Sequence, residues 1–266
     1  MTRPVYFKDL IKQFIWTFFD NITKIFSVSA LWFILNLPVF YTIYVLLYSR
    51  ITHPFLYAFL AVIVYYSPFS FGAGYYISQI ISQMVTAPKF TLPEKILSMD
   101  MLKLSYFFRG TARFFWKSLA VILMLSLISL LLYLNLYFYW KIVTPRIPLL
   151  GLILTGFILW VIVIFLLMNN YLLPLLLTRE TSIFRALSRS FLLVMDNVLY
   201  SLGLFLLLAS FFIIMGFTML GLLAVYSGTY ILLQFLSFFI IYQKYDETIE
   251  LVSETRAFKN LFKPWK

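Results

Sequence analysis

From Ile147 to Thr178 the chain contains no Asp, Glu, Lys, Arg or His, and the same holds from Ser118 to Trp140 and from Asn197 to Gln243. Runs of this length exceed the roughly 18–20 residues that carry a helix across a bilayer. A soluble domain could not cover so much apolar side chain: 63% of the 266 residues are hydrophobic and 12% are charged, with too little polar surface to face water. The expected fold is therefore all-α, a polytopic membrane helical bundle. No polar stretch is long enough to build a second, soluble core, so the whole chain reads as one integral membrane domain.

Six transmembrane helices are expected, at about 22–48, 55–82, 118–140, 149–178, 198–217 and 221–243, followed by a polar tail over 244–266. The last apolar region is long enough for two crossings, with its turn placed at Gly216–Leu222; a turn at Tyr226–Gly228 leaves the final span short. Pro68, with Gly72 and Gly74 behind it, predicts a kink or unwound turn near the middle of the second span. Before the first span, Tyr6, Leu10, Phe14 and Phe18 recur at four-residue steps and predict an amphipathic helix over 5–20. Its scattered charges (Arg3, Lys8, Asp9, Lys12 and Asp20) do not form a signal peptide. The chain is expected to be inserted by its own first span.

The net charge of +11 follows from this layout. With the N-terminus, 83–117, 179–197 and the tail on one side, that side holds eighteen of the 21 Lys and Arg and all ten carboxylates; Arg50, Lys141 and Arg146 fall on the other. The positive-inside rule then places both termini in the cytoplasm of a multi-pass protein of the cell membrane. Nucleic acid is not an expected partner, because membrane insertion accounts for the basic charge.

Basic residues also mark a recurring pattern. Phe108-Arg109-Gly110-Thr111-Ala112-Arg113-Phe114-Phe115 is echoed by Phe184-Arg185-Ala186-Leu187-Ser188-Arg189-Ser190-Phe191. Each copy leads into an apolar hairpin, and Asp196-Asn197 before the fifth span echoes Asp20-Asn21 before the first. The expected unit is a basic amphipathic helix lying in the interface, then two spans, repeated three times over 5–82, 103–178 and 182–243. Arg109, Arg113, Lys117, Arg185 and Arg189 are the candidate contacts to anionic lipid or to a partner protein. Ordinary juxtamembrane anchoring uses the same residues for the same electrostatic reason.

Little catalytic chemistry is on offer. There is no cysteine and a single histidine, His53, in a short loop. No nucleophile, Walker-type or metal-binding motif occurs, so no catalytic residue, metal site or cofactor is expected. Spans without ionisable groups away from their ends argue against an ion-coupled carrier. What remains is uncharged: Asn36, Pro68, Gly72, Gly74, Asn169 and Asn170 are the candidate solute path, since broken helices line substrate sites in many transporters. The same residues serve as packing notches and interhelical hydrogen bonds in ordinary bundles.

Three segments resemble the YesL-like bacterial membrane proteins, a family of unknown function. They are Leu31-Trp32-Phe33-Ile34-Leu35-Asn36-Leu37-Pro38-Val39 with Thr42-Ile43, Phe107–Gly110 running to Phe115-Trp116-Lys117, and the Arg185 to Asp196-Asn197 segment. The resemblance implies a bacterial inner-membrane protein with an accessory or assembly role beside a carbohydrate ABC transporter, and it carries over no ligand or catalytic residue. A permease for a neutral or amphiphilic solute is the alternative reading; a membrane enzyme comes third.

The absence of native cysteine makes the topology directly testable. Ser188→Cys is expected to react with a membrane-impermeant maleimide only after the cells are permeabilised. Labelling in intact cells overturns the assignment of both termini to the cytoplasm.

Overall fold

The computed structural model describes residues 7–49, 53–82, 85–86, 103–178, 182–217, 221, 225–245 and 250–251. Among them nine α-helices follow one another: α1 Phe7–Asp20, α2 Ile22–Tyr48, α3 Pro54–Tyr65, α4 Pro68–Ser82, α5 Ser105–Phe138, α6 Pro148–Thr178, α7 Ile183–Asp196, α8 Val198–Phe217 and α9 Ser227–Tyr242. A π-helical turn, Tyr139–Val143, closes α5. Two residues on each side, Val85–Thr86 and Glu250–Leu251, pair antiparallel. Three helical segments, Ile22–Tyr48, Ser105–Val143 and Pro148–Thr178, are long and apolar enough to cross a membrane. Counting the bent pairs α3/α4 and α7/α8 raises the number to five.

Proline sets the start of three of these helices. Pro54, Pro68 and Pro148 each occupy the first position of α3, α4 and α6, where the missing N–H removes no helical bond and the fixed φ suits the helix. The second expected span is broken at Tyr66-Ser67, with α3 and α4 bent by 40°. Ser67 caps α4: the backbone N–H of Ser70 donates to Ser67 Oγ at 3.2 Å and to its carbonyl oxygen at 2.9 Å. The break is thus built from a stop, a cap and a first-turn proline.

Two elbows share one design. Asn21 joins α1 to α2 and Asn197 joins α7 to α8, and each donates its side-chain amide at 3.1 Å to the carbonyl four residues back, Thr17 or Leu193. This satisfies a carbonyl orphaned at the end of the preceding helix. α7 turns through 103° into α8. Ala186, Ser190, Leu193 and Val194 form its buried face against α6, while Phe184, Arg185, Phe191 and Met195 are exposed.

The middle copy of the pattern departs from expectation. Ser105–Phe138 is one uninterrupted helix of 34 residues, so no separate interfacial helix precedes the third span. The physical reason is local: nothing at Lys117-Ser118 plays the part of Asn21 or Asn197. At 1.5 Å per residue this helix measures about 50 Å, well beyond a hydrocarbon layer of about 30 Å. Its cationic N-terminal third extends past the apolar part instead of folding across it.

The expected turn at 216–222 lies largely outside the described residues, but Gly216 is still helical in α8. Tyr226 and Ser227 are not a turn either, since α9 starts there. The opening of the first helix at residues 5 and 6, the charged stretch 87–102 and most of the tail also lie outside the described residues.

α9 is the axis of the bundle. Every residue from Ser227 to Ile241 except Tyr230 is buried, and α1, α2, α4 and α6 pack around it. Its polar side chains, Ser227, Thr229, Gln234 and Ser237, are thereby kept away from lipid. α8 runs outside this core, burying the stripe Ser201, Leu204 and Leu208 and exposing Leu199 and Leu206. The tightest helix pair is α4 with α5. A Cβ at Gly110 would stand 2.5 Å from Tyr75 Cβ, and one at Gly72 would meet Thr111 Oγ1 and, at 2.8 Å, the Phe107 carbonyl oxygen. Small residues let the two backbones approach.

Gly72→Ala is therefore expected to destabilise the bundle by about 1–3 kcal/mol through overpacking. A Cβ at Gly156 meets nothing within 4 Å, so Gly156→Ala should be neutral or stabilising by up to about 1 kcal/mol. Equilibrium unfolding in mixed micelles measures both; equal behaviour of the two variants is incompatible with this packing.

Candidate functional site

At the broken helix the backbone loses partners that lipid cannot replace. Ser67 and Ser70 supply them, and side chains of three other helices pair with the polar groups around the break. Ser70 Oγ donates to the Val64 carbonyl oxygen at 2.9 Å, and Trp32 Nε1 of α2 donates to Ser70 Oγ at 2.8 Å. On the other side of the break, Tyr66 donates its hydroxyl to Asn169 Oδ1 of α6 at 2.6 Å. Tyr65 donates to the Asn169 carbonyl oxygen at 3.3 Å and accepts from Gln234 Nε2 of α9. Gln234 Nε2 also reaches the Asn169 carbonyl oxygen at 3.2 Å. α2, α3, α4, α6 and α9 are joined through these few groups.

Further polar side chains follow along α9. Ser227, Tyr230, Gln234 and Ser237 follow at three- and four-residue steps, so they share one face of the helix. Ser237 lies beside Tyr171 and Tyr200, and the Tyr171 hydroxyl is 2.8 Å from Ser201 Oγ. Beyond the end of α9, Asn197 Nδ2 donates to the Tyr245 hydroxyl at 2.7 Å and Tyr245 donates to Asp196 Oδ2 at 3.2 Å. Burial, helped by the nearby Asp196 carboxylate, holds the Tyr245 phenol above its ordinary pKa, so it stays a neutral donor at any physiological pH. A polar seam thus runs beside the axial helix from the break to the α7/α8 elbow.

Above the break lies a cavity of about 480 Å³. Trp32, Phe33, Phe40 and Ile43 of α2, Ala61, Val64 and Tyr65 of α3, and Ser70 of α4 form one side; Leu173, Phe212, Tyr226, Ser227, Tyr230 and Ile231 form the other. No Asp, Glu, Lys, Arg or His is among these. The volume falls within the range of small-molecule sites, which are mostly apolar with a few placed polar groups.

None of the six residues expected to form a solute path lines this cavity. Asn36 is buried and donates back to the Trp32 carbonyl oxygen at 2.8 Å, a bond within its own helix. Pro68 starts α4. Gly72 faces α5, and a Cβ at Gly74 would stand 2.5 Å from Leu177 Cδ1 of α6; both are packing notches. Asn169 sits one layer below the cavity, behind Tyr65 and Tyr66. Asn170 is buried with Nδ2 unpartnered. Sequence position gave Asn169 and Gln234 no common site, yet the fold brings them together. Asn169 is seven residues from Leu176, whose carbonyl oxygen accepts from Lys117 Nζ at 2.8 Å, so it lies about 10 Å along α6 from that cation. The signal in the sequence for the lining was Tyr65 and Ser70 around Pro68, with Trp32, polar groups that an unbroken apolar span does not need.

The basic residues divide. Lys117 turns inward to the C-terminus of α6, where a cation complements the helix dipole. Arg109 and Arg113 are exposed on α5 and lie over the rings of Tyr106 and Phe114, each 5.5 Å from the centroid. Arg185 is exposed and Arg189 half-buried on α7. His53 is exposed, with its ring 6.0 Å from that of Tyr133. Among the described residues no group of His, Asp and Glu could hold a metal ion. No family profile, curated protein or solved structure matches the chain.

A double-mutant cycle over Tyr66→Phe and Asn169→Leu is expected to give a coupling of about 0.6–2 kcal/mol, the range for interhelical hydrogen bonds in membranes. Additive effects in the same unfolding assay would show that this bond does not hold α3 to α6.

Proposed function

We propose that the protein is a non-enzymatic, six-span integral membrane protein that binds a neutral or amphiphilic solute at its broken second span, as a permease. The observation that carries this reading is the cavity of about 480 Å³ set against the break and lined by no ionisable acid or base other than tyrosine. An ion would find no countercharge there, and desolvating it would cost several kcal/mol. The polar side chains along α9 support passage, because they continue from Ser227 and Tyr230 of the cavity wall towards the α7/α8 elbow. In the six-span arrangement α2, α3 with α4, α5, α6, α8 and α9 each cross once, which keeps the eighteen basic residues on one side.

A second reading, an accessory partner of a carbohydrate transport system in the bacterial inner membrane, is favoured by α7. Phe184, Arg185 and Ser188 are exposed together on a helix turned 103° away from α8. Crosslinking from Ser188 should then capture one specific membrane protein; recovery of lipid alone counts against it.

Trp32 reports on the binding reading. In full-length protein in nanodiscs, with the other five tryptophans replaced by phenylalanine, decanol or maltose is expected to shift Trp32 emission saturably. Absence of a saturable response to both probes overturns the cavity as a binding site.

A further inference from the structure

The cavity has more hydroxyls in its wall than hydroxyls free to bind anything. Ser70 Oγ both donates to Val64 and accepts from Trp32, and that bond also occupies Trp32 Nε1. The Tyr65 hydroxyl donates to Asn169 and accepts from Gln234. The Tyr230 hydroxyl lies within hydrogen-bonding reach of Tyr65. Ser227 is different. It is 3% exposed, it lines the cavity, and its Oγ has no hydrogen-bond partner. A buried hydroxyl left unpaired is costly, and it sits at the first position of the axial helix, fixed in place by Gly228, whose backbone N–H donates to Ser29 Oγ at 2.9 Å.

The remaining wall is aromatic and aliphatic, and one side of it borders lipid. α2 and α8 are not among the closely packed helix pairs of the described residues. Between them Phe212 is 51% exposed, Phe40 and Ile43 are half-buried, and the ring of Tyr226 bridges to Phe212 with centroids 5.4 Å apart. A molecule already dissolved in the bilayer reaches this gap without crossing water.

We propose that the cavity takes a neutral amphiphile from the bilayer, an apolar body carrying a single hydroxyl or carbonyl that pairs with Ser227 Oγ. This rests on the cavity being a binding site and narrows what it binds. A sugar or polyol is disfavoured by hydrogen-bond supply: each of its hydroxyls would be stripped of water, and beside Ser227 Oγ this wall has little more than the Tyr226 phenol to offer. An alkane is disfavoured for the opposite reason, since it leaves Ser227 unpaired.

The test uses the full-length protein in phosphatidylcholine nanodiscs with three diazirine probes: a hexadecanol, the matching hexadecane and a maltose. Hexadecanol should crosslink saturably to cavity-lining peptides of α2, α8 or α9, and unlabelled decanol should compete. Ser227→Ala is expected to lower that yield about tenfold, the scale of one hydrogen bond near 1.4 kcal/mol, and to leave the weak hexadecane labelling unchanged. Ala61→Trp fills the cavity from α3 and should abolish hexadecanol labelling with an unchanged circular-dichroism melt, which keeps the test decisive if Ser227→Ala disturbs folding. Saturable labelling by maltose in place of hexadecanol overturns the amphiphile while leaving a solute site. Hexadecanol labelling indifferent to both variants overturns the assignment to this cavity. Silence of all three probes overturns the binding reading itself.

Discussion

An unsatisfied backbone or side-chain polar group in a bilayer has no water to turn to, and that constraint organises this bundle around the break at Tyr66-Ser67. Interrupting an apolar helix frees carbonyls and amides in hydrocarbon. Here Ser67 and Ser70 take up those of the break itself, Trp32 secures Ser70, and Tyr65 and Tyr66 reach to Asn169 and Gln234. Each repair recruits another helix. The polar groups that make the break tolerable are therefore the same ones that tie five helices together, and the cavity is the space the bend leaves above them.

Packing and polarity divide the labour along α4. Its glycines serve close approach, Gly72 towards α5 and Gly74 towards α6, while its serines serve the break. A glycine-rich, proline-led segment invites a single functional interpretation, but the two kinds of residue act on different neighbours. The same division appears among the cations. Lys117 closes the C-terminus of α6, whereas Arg109 and Arg113, one and two turns earlier, remain exposed on α5.

Much of the helical layout was legible in the residues, and the reasons are local. α2 occupies the run that its flanking polar groups delimit, and Pro54, Pro68 and Pro148 announce three helix starts. The break itself follows from Ser67-Pro68. The elbows at Asn21 and Asn197 are visible as paired Asp-Asn steps, and the absence of any such step at Lys117-Ser118 is why α5 continues without interruption. Which helix faces which was not legible. α9 carries Ser227, Gln234 and Ser237 among apolar residues, but nothing in it says that α1, α2, α4 and α6 enclose it. Asn169 and Gln234 lie in separate runs with nothing in either to name the other. The cavity is a property of a bend between two helices and the gap between two more, and no single periodicity encodes it.

The position of the axial helix in the chain has a consequence for assembly. The bundle closes around its penultimate described stretch, and the bond from the Gly228 backbone to Ser29 Oγ joins residues 199 positions apart. During synthesis, which proceeds from the N-terminus, α1, α2, α4 and α6 emerge before the helix they will surround. Until α9 arrives, Ser29, Tyr65 and the Asn169 carbonyl lack partners that only it brings, and the buried faces of four helices wait on lipid. The earlier helices can pair as α4 does with α5, but the set that encloses α9 is complete only once α9 has joined it.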